Sequence, residues 1–253
     1  MVLLRSEDIC MYLGGVKAVD HVDVTVEQGQ IMGIIGPNGS GKTTFFNVLT
    51  GIYKPTSGRF FFMGNDITDW LPHKIAQAGI ARTFQNIRVF KNTSVLENVL
   101  VGEHTKLQAT LLGALVRSPA QKQDEKKARK RAEELLDFVK LSDKINEFSA
   151  NLAYGEQRRL EIARALASQP KLLLLDEPTA GMNPSEADQV IQLFHSIRDL
   201  GVTIILIEHN MQVVMGTAER IVAFDAGTKI AEGPPKEIQY NPLVIQAYLG
   251  EDE

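Results

Sequence analysis

The stretch Ile31-Met32-Gly33-Ile34-Ile35-Gly36-Pro37-Asn38-Gly39-Ser40-Gly41-Lys42-Thr43-Thr44 decides how the chain folds. Its first five residues are apolar on both faces, as in a strand buried between two layers, and they run straight into a glycine-rich loop. An amphipathic helix is predicted to follow from about Gly41. The glycines let the backbone fold tightly enough for successive N–H groups to point inward at an anion, and the helix adds the positive end of its dipole. Strand, loop and helix together satisfy the phosphate-loop pattern, in which Lys42 brings its charge to the β- and γ-phosphates of a nucleotide. Thr43 offers a hydroxyl to Mg²⁺, and Thr44 a donor on the α-phosphate side. The expected nucleotide-binding set is therefore Gly36, Pro37, Asn38, Gly39, Ser40, Gly41, Lys42, Thr43 and Thr44.

Two further segments, residues 172–175 and 202–207, are apolar on both faces and each follows a helical stretch. Buried strands separated by helices predict an α/β core on a parallel sheet. Upstream of the loop the period changes: Val22, Val24 and Val26 alternate with His21, Asp23 and Thr25, which suits a half-buried antiparallel strand. After Ser94 the character changes again, and residues 95–101, 107–116 and 120–140 all read as helices. The expected fold class is α/β, a P-loop NTPase core with a parallel sheet, an N-terminal antiparallel β subdomain and an inserted helical lobe. In this reading residues 1–253 are a single domain, with 1–93 and 165–253 as sheet core and β subdomain and 94–164 as the lobe. Residues 227–253 form a C-terminal segment, with turn signals at Gly233-Pro234-Pro235 and a small helix ending Ala247-Tyr248-Leu249-Gly250.

At 253 residues and 44% hydrophobic composition, the chain can bury a substantial core and is not a disordered polymer. A net charge of −4 and a pI near 5.8 give no overall attraction to nucleic acid. The charge run over residues 122–134 interleaves Asp124, Glu125, Glu133 and Glu134 with its bases, which describes a solvated helix face with i,i+4 pairs. Cys10, the single cysteine, excludes an intrachain disulfide and a multi-cysteine metal site. No apolar run approaches the ~20 residues that span a bilayer, and Arg5, Glu7 and Asp8 stand where a signal peptide has its apolar region. The expectation is a soluble chain, or one peripheral to a membrane through a partner.

A phosphate cradle does not by itself choose between GTPases, kinases and motor ATPases. The run Leu172-Leu173-Leu174-Leu175-Asp176-Glu177 narrows the choice by placing an aspartate at the carboxyl end of a buried strand, where parallel sheets meet their ligands. There Asp176 can hold the water shell of Mg²⁺; capping the next loop is the plainer alternative. Glu177, one residue further, would face the γ-phosphate and orient or deprotonate an attacking water. No Asn-Lys-x-Asp guanine-reading motif occurs, which counts against a GTPase.

Leu152-Ala153-Tyr154-Gly155-Glu156-Gln157-Arg158-Arg159-Leu160, taken with the loop and the acidic run, resembles the signature motif of the ABC ATPases, and the resemblance covers nearly the whole chain. It implies ATP as the nucleotide and Mg²⁺ as its cofactor. It also implies that Gln85, in Thr83-Phe84-Gln85-Asn86, is the glutamine that reaches Mg²⁺ and the attacking water, and that His209 is the switch histidine on the γ-phosphate. Glu177, His209 and Gln85 are then the catalytic set, and Thr43, Gln85 and Asp176 the metal set. Ala153, Tyr154, Gly155 and Glu156 would meet the ATP held by a partner chain, Gly181, Met182 and Asn183 would form a loop at the dimer interface, and Leu13 with Tyr12 would contact adenine. Three positions depart from the family pattern: Ala153 replaces a serine, Leu13 an aromatic residue, and Asn183 an aspartate.

The resemblance further implies a second ATPase subunit, identical or different, and transmembrane permease subunits. A periplasmic solute-binding protein is implied indirectly, and no nucleic acid. Its expected place is peripheral, at the cytoplasmic face of the inner membrane. Within the family the chain is most similar to importer ATPases for branched-chain amino acids, through Ala81-Arg82-Thr83-Phe84-Gln85, Tyr154, the run from Arg158 to Arg164, the helical extension over residues 106–140 and the ending from Asn241 to Gly250. Urea importers and the lipopolysaccharide exporter share several of these. A soluble ABC ATPase of DNA repair or translation is the alternative of another class, but such chains carry a long coiled coil or two phosphate loops, and neither is present here.

Overall fold

A computed structural model describes residues 1–103 and 119–249. The helix expected over 107–116 therefore lies outside the described residues. The chain divides into two compact units, Met1–Gln85 with Lys171–Glu253, and Asn86–Pro170.

The first unit opens with β1 (Val2–Leu13) and β2 (Val16–Glu27), paired antiparallel around Gly14 and Gly15, both at positive φ as the tight turn requires. Val22, Val24 and Val26 of β2 are buried while His21, Asp23 and Thr25 are exposed, so the period-2 pattern is satisfied by one covered face. β3 (Ile31–Ile35) follows and leads through the glycine loop into α1 (Lys42–Leu49). β4 (Ser57–Phe62) and β5 (Asn65–Asp66) return to the first sheet, giving the order β2-β1-β4-β5.

The second sheet collects β3 with β6 (Ile80–Arg82), β7 (Leu172–Asp176), β8 (Thr203–Ile207), β9 (Arg220–Asp225) and β10 (Thr228–Gly233), in the order β10-β9-β3-β8-β7-β6. From β9 to β6 all neighbours are parallel, and β10 closes the edge antiparallel to β9. Every residue of β3, β7 and β8 is buried, which is why these strands read as near-continuous apolar runs. The core joins both sheets through α1, where Phe45 meets Phe60 at 5.5 Å and Phe224 at 5.7 Å between ring centroids. Burying one such ring contributes roughly 1.5–3 kcal/mol. The expected α/β class, with its parallel core and antiparallel subdomain, is the architecture observed.

In the second unit, helices α3 (Val95–Glu103), α4 (Pro119–Phe138) and α5 (Tyr154–Ala167) bury an apolar seam that includes Val99, Leu136 and Leu160; α2 (Pro72–Ala78) belongs to the first unit. The Ser94 hydroxyl accepts the N–H of Glu97, and the Glu97 carboxylate accepts the N–H of Ser94, a capping box that starts α3 where the composition changes. A Cβ on Gly102 would come within 2.2 Å of the Arg164 carbonyl, so only glycine lets α3 approach α5 this closely. On α4, Arg129 pairs with Glu133 at 2.9 Å and Lys130 with Glu134 at 3.7 Å, while Ala128, Ala132 and Leu136 turn inward.

Candidate nucleotide-binding and hydrolysis site

The loop between β3 and α1 is shaped by its neighbours as much as by its own glycines. Gly36 has φ 146°, and a Cβ there would meet the Phe224 carbonyl of β9 at 2.2 Å. A Cβ on Gly41, at φ 99°, would meet the Ala18 carbonyl of β2 at the same distance. At both positions backbone occupies the space a side chain would need, so no rotamer relieves the clash. Gly39 also has positive φ but opens onto free space. Asn38, Gly39 and Thr43 are exposed, whereas Gly36, Pro37, Ser40, Gly41 and Lys42 are buried and Thr44 is intermediate.

Lys42 bends back into this loop, its ammonium donating to the carbonyls of Gly36 and Pro37 at 2.7 Å each and to Ser40 Oγ at 3.3 Å. A cation thus sits on the carbonyl side of the loop, available to an incoming polyanion. A cleft of about 510 Å³ lies beside the loop, bounded by Asn38, Gly39, Asp225, Gln246 and Ala247 among others.

Asp176 ends β7, and its Oδ2 accepts from Arg82 Nη2 at 2.8 Å, with both side chains almost fully buried. The second terminal guanidinium nitrogen, Nη1, donates to Asn47 Oδ1 at 2.7 Å and Thr50 Oγ1 at 3.2 Å, and the group lies over the rings of Phe46 and Phe84. Asp176 Oδ1 is buried and has no hydrogen-bond partner among the described residues. A carboxylate oxygen of that kind, beside a phosphate loop, fits the hydrated shell of a divalent cation.

Glu177 lies one residue beyond the strand, at φ 46°, a left-handed conformation that costs an L residue about 1–2 kcal/mol. Its N–H donates to the Ile207 carbonyl at 2.9 Å, which anchors it to the end of β8. Its Oε2 accepts from Gln85 Nε2 at 2.9 Å, and His209 Nδ1 stands 3.8 Å from Oε1. Three residues from separate parts of the chain therefore meet at one carboxylate. Neighbouring Glu208 is buried and accepts from both the N–H and the hydroxyl of Thr179, fixing the stretch after β7 to the end of β8. Sequence reasoning gave no role to Glu208 and used Arg82 only as a family marker. The one available signal was charged residues placed next to buried strands.

Tyr12 and Leu13 are both exposed at the end of β1. Tyr12 Oη donates to Asp20 Oδ1 at 2.7 Å, and that bond to a carboxylate is the main reason its phenol is pushed upward from the usual range. Asn183 caps α6 (Pro184–Asp199), accepting the N–H of Glu186 while the Glu186 carboxylate accepts the N–H of Asn183. The loop carrying Gly181 and Met182 thus ends in a helix cap that aspartate or asparagine can make equally well.

In the second unit, α5 begins directly after Ala153. Glu156 accepts the N–H of Ala153 at 3.0 Å and an ammonium hydrogen of Lys144 at 2.6 Å. The Ala153 side chain has no oxygen with which to return the bond, so the side chains cap this helix start from one direction only. Burial raises the Glu156 carboxyl, but the bonds from Lys144 and Ala153 outweigh it and leave the group below the usual carboxylate range. Tyr154 is exposed, and Gly155 is half-buried at the first turn.

A phosphate loop after a buried parallel strand, with acidic residues at the end of a second strand of the same sheet, one strand removed from the first, defines a P-loop nucleotide hydrolase. Residues 19–180 match the ABC transporter family, and residues 228–253 match the C-terminal family of branched-chain amino acid ATP-binding cassette transporters. The chain belongs to the ABC transporter family, as one of its ATP-hydrolysing subunits. It is 44% identical, over 98% of both chains, to the high-affinity branched-chain amino acid transport ATP-binding protein BraF of Pseudomonas aeruginosa. Against LivG of Escherichia coli, which bears the same description, identity is 43% with the same coverage. Among solved structures, the ADP conformation of MJ1267, an ATP-binding cassette of an ABC transporter, superposes with a TM-score of 0.86 at 35% identity, covering 99% of each chain. Among the described residues no helix is long and apolar enough to cross a membrane.

Proposed function

We propose that this chain powers the import of branched-chain amino acids, acting as the peripheral ATPase beneath permease subunits at the cytoplasmic face of the inner membrane. The observation that carries the reading is its 43–44% identity, end to end, with curated ATP-binding proteins of that transport class. The solute would be recognised by a periplasmic binding protein and the permeases, so no residue of this chain is assigned to it.

In the proposed cycle the loop from Gly36 to Thr44 wraps the phosphates and Lys42 moves from the Gly36 and Pro37 carbonyls to the β- and γ-phosphates. Thr43, Gln85 and Asp176 would hold Mg²⁺, which when bound offsets the charge on the phosphates. Support for this set is the Oδ1 of Asp176, unpartnered among the described residues. Glu177 orients or deprotonates the attacking water, Gln85 positions its carboxylate, and His209 contacts the γ-phosphate. Tyr12 and Leu13 contact adenine.

Two such subunits, identical or different, close over ATP. The Ala153, Tyr154, Gly155 and Glu156 segment of one meets the γ-phosphate held by the other, with Gly181, Met182 and Asn183 at the interface. Loss of the γ-phosphate removes a contact shared by both chains, and the closed pair opens. The test is reconstitution with the permeases and binding protein in proteoliposomes. ATP-dependent uptake of leucine, isoleucine or valine is expected, with no uptake in Lys42→Ala. Coupled movement of urea or lipopolysaccharide instead, or no association with any membrane protein, would overturn the assignment.

A further inference from the structure

The last helix of the chain reaches the phosphate loop. In α9 (Pro242–Leu249), after α7 (Met211–Thr217) and the short α8 (Pro235–Gln239), the hydroxyl of Tyr248 accepts the N–H of Gly36 at 2.9 Å, across 212 positions of sequence. Tyr248 also borders an apolar groove, together with Met211, Met215, Ile238 and Val244. Gly36 is thereby held on three sides: its Cα lies against the Phe224 carbonyl, its C=O accepts from Lys42, and its N–H is taken by Tyr248.

Of these contacts, the one from Lys42 is temporary. An ammonium resting on the Gly36 and Pro37 carbonyls must leave them to serve a phosphate, and the loop then loses two of the bonds that hold its first peptides. We propose that Tyr248 is a positioning residue for nucleotide binding, a brace from the C-terminal helix that keeps the first peptide of the phosphate loop in place while Lys42 is transferred to the nucleotide. The inference rests on the assignment of this loop to ATP. Helix α9 also walls the cleft beside the loop through Leu243, Gln246 and Ala247, so the same element shapes both the loop and its approach.

Tyr248→Phe keeps the ring and removes only the hydroxyl, and Leu249→Ala, exposed on the same helix, serves as the control. Hydrogen exchange at the Gly36 amide in the nucleotide-free protein should accelerate about tenfold in Tyr248→Phe and stay unchanged in Leu249→Ala. The Kd for a fluorescent ATP analogue and the KM for ATP should rise roughly three- to tenfold in Tyr248→Phe, a larger change than in kcat. Unchanged amide exchange, or unchanged Kd and KM, would overturn the inference. Failure of the loop assignment would be recognised separately, because the wild-type chain would then bind the analogue no better than Lys42→Ala.

Discussion

Gln85 Nε2 donates to Glu177 Oε2 at 2.9 Å, joining a residue just beyond β6 to one just beyond β7. The bond uses one carboxylate oxygen, and His209 approaches the other at 3.8 Å. Glu177 is held in its left-handed backbone conformation by the ends of two strands, so the carboxylate is oriented before any nucleotide arrives. Replacing it with glutamine keeps the shape and removes the base. Glu177→Gln should bind ATP with near wild-type affinity, hydrolyse it at least about a hundredfold more slowly, and accumulate a closed dimer. Size-exclusion chromatography and single-turnover hydrolysis check this, and near-normal turnover would remove Glu177 from its assigned role.

Arg82 and Asp176 form a pair excluded from solvent, and removing one partner strands the other. Arg82→Ala should cost about 3–5 kcal/mol, and for a chain of this size should lower Tm by roughly 10 °C. Mg²⁺ with ATP should restore part of that loss, since a cation near Asp176 offsets the stranded charge. Melting curves with ATP alone and with Mg²⁺ added separate the two contributions. Equal melting with and without the metal would argue against Asp176 as a metal-site residue.

Ala153 leaves α5 capped only by the Glu156 carboxylate. Ala153→Ser supplies the missing acceptor and should stabilise the protein by roughly 1 kcal/mol, read by urea denaturation with an unchanged m-value. The same hydroxyl would add a donor toward the γ-phosphate of a partner chain. ATP affinity in the dimer should therefore rise rather than fall, and a fall would mean that the first turn of α5 does not face nucleotide.

The Lys144–Glu156 pair carries a pH dependence. The Glu156 carboxyl lies below its ordinary value of 4.5 in the folded chain, so folding binds fewer protons than the unfolded state in that range. Its contribution is complete above about pH 4.5 and is lost as pH falls through the lower, folded value. Chemical denaturation between pH 6 and pH 3 should show a smaller acid loss in Glu156→Gln than in the wild type. Parallel curves for the two proteins would contradict the direction assigned to Glu156.

Much of this molecule was legible in its amino-acid sequence. The near-continuous apolar runs at β3, β7 and β8 identified buried parallel strands, because a strand covered on both faces leaves room for polar side chains such as Asp176 and Thr203 only at its ends. Alternation in β2 identified a one-sided sheet, and the change of composition after Ser94 coincides with a capping box. The types of chemistry were also written locally: a lysine in a glycine loop and paired acids at a strand end. Such patterns are local because they follow from backbone geometry within a few residues.

Tertiary structure alone decided which of these groups meet. Arg82 and Asp176 are 94 positions apart, Gln85 and Glu177 are 92, and Gly36 and Tyr248 are 212. Their pairing depends on a strand order that inserts β8 between β3 and β7 and sets β9 against β3, an arrangement chosen by how helices and sheets bury their apolar faces together. The same packing made glycine obligatory at Gly36 and Gly41, where the obstacle is the backbone of a distant strand. Local periodicity specifies the elements, and only the burial of one against another determines which side chains come within reach.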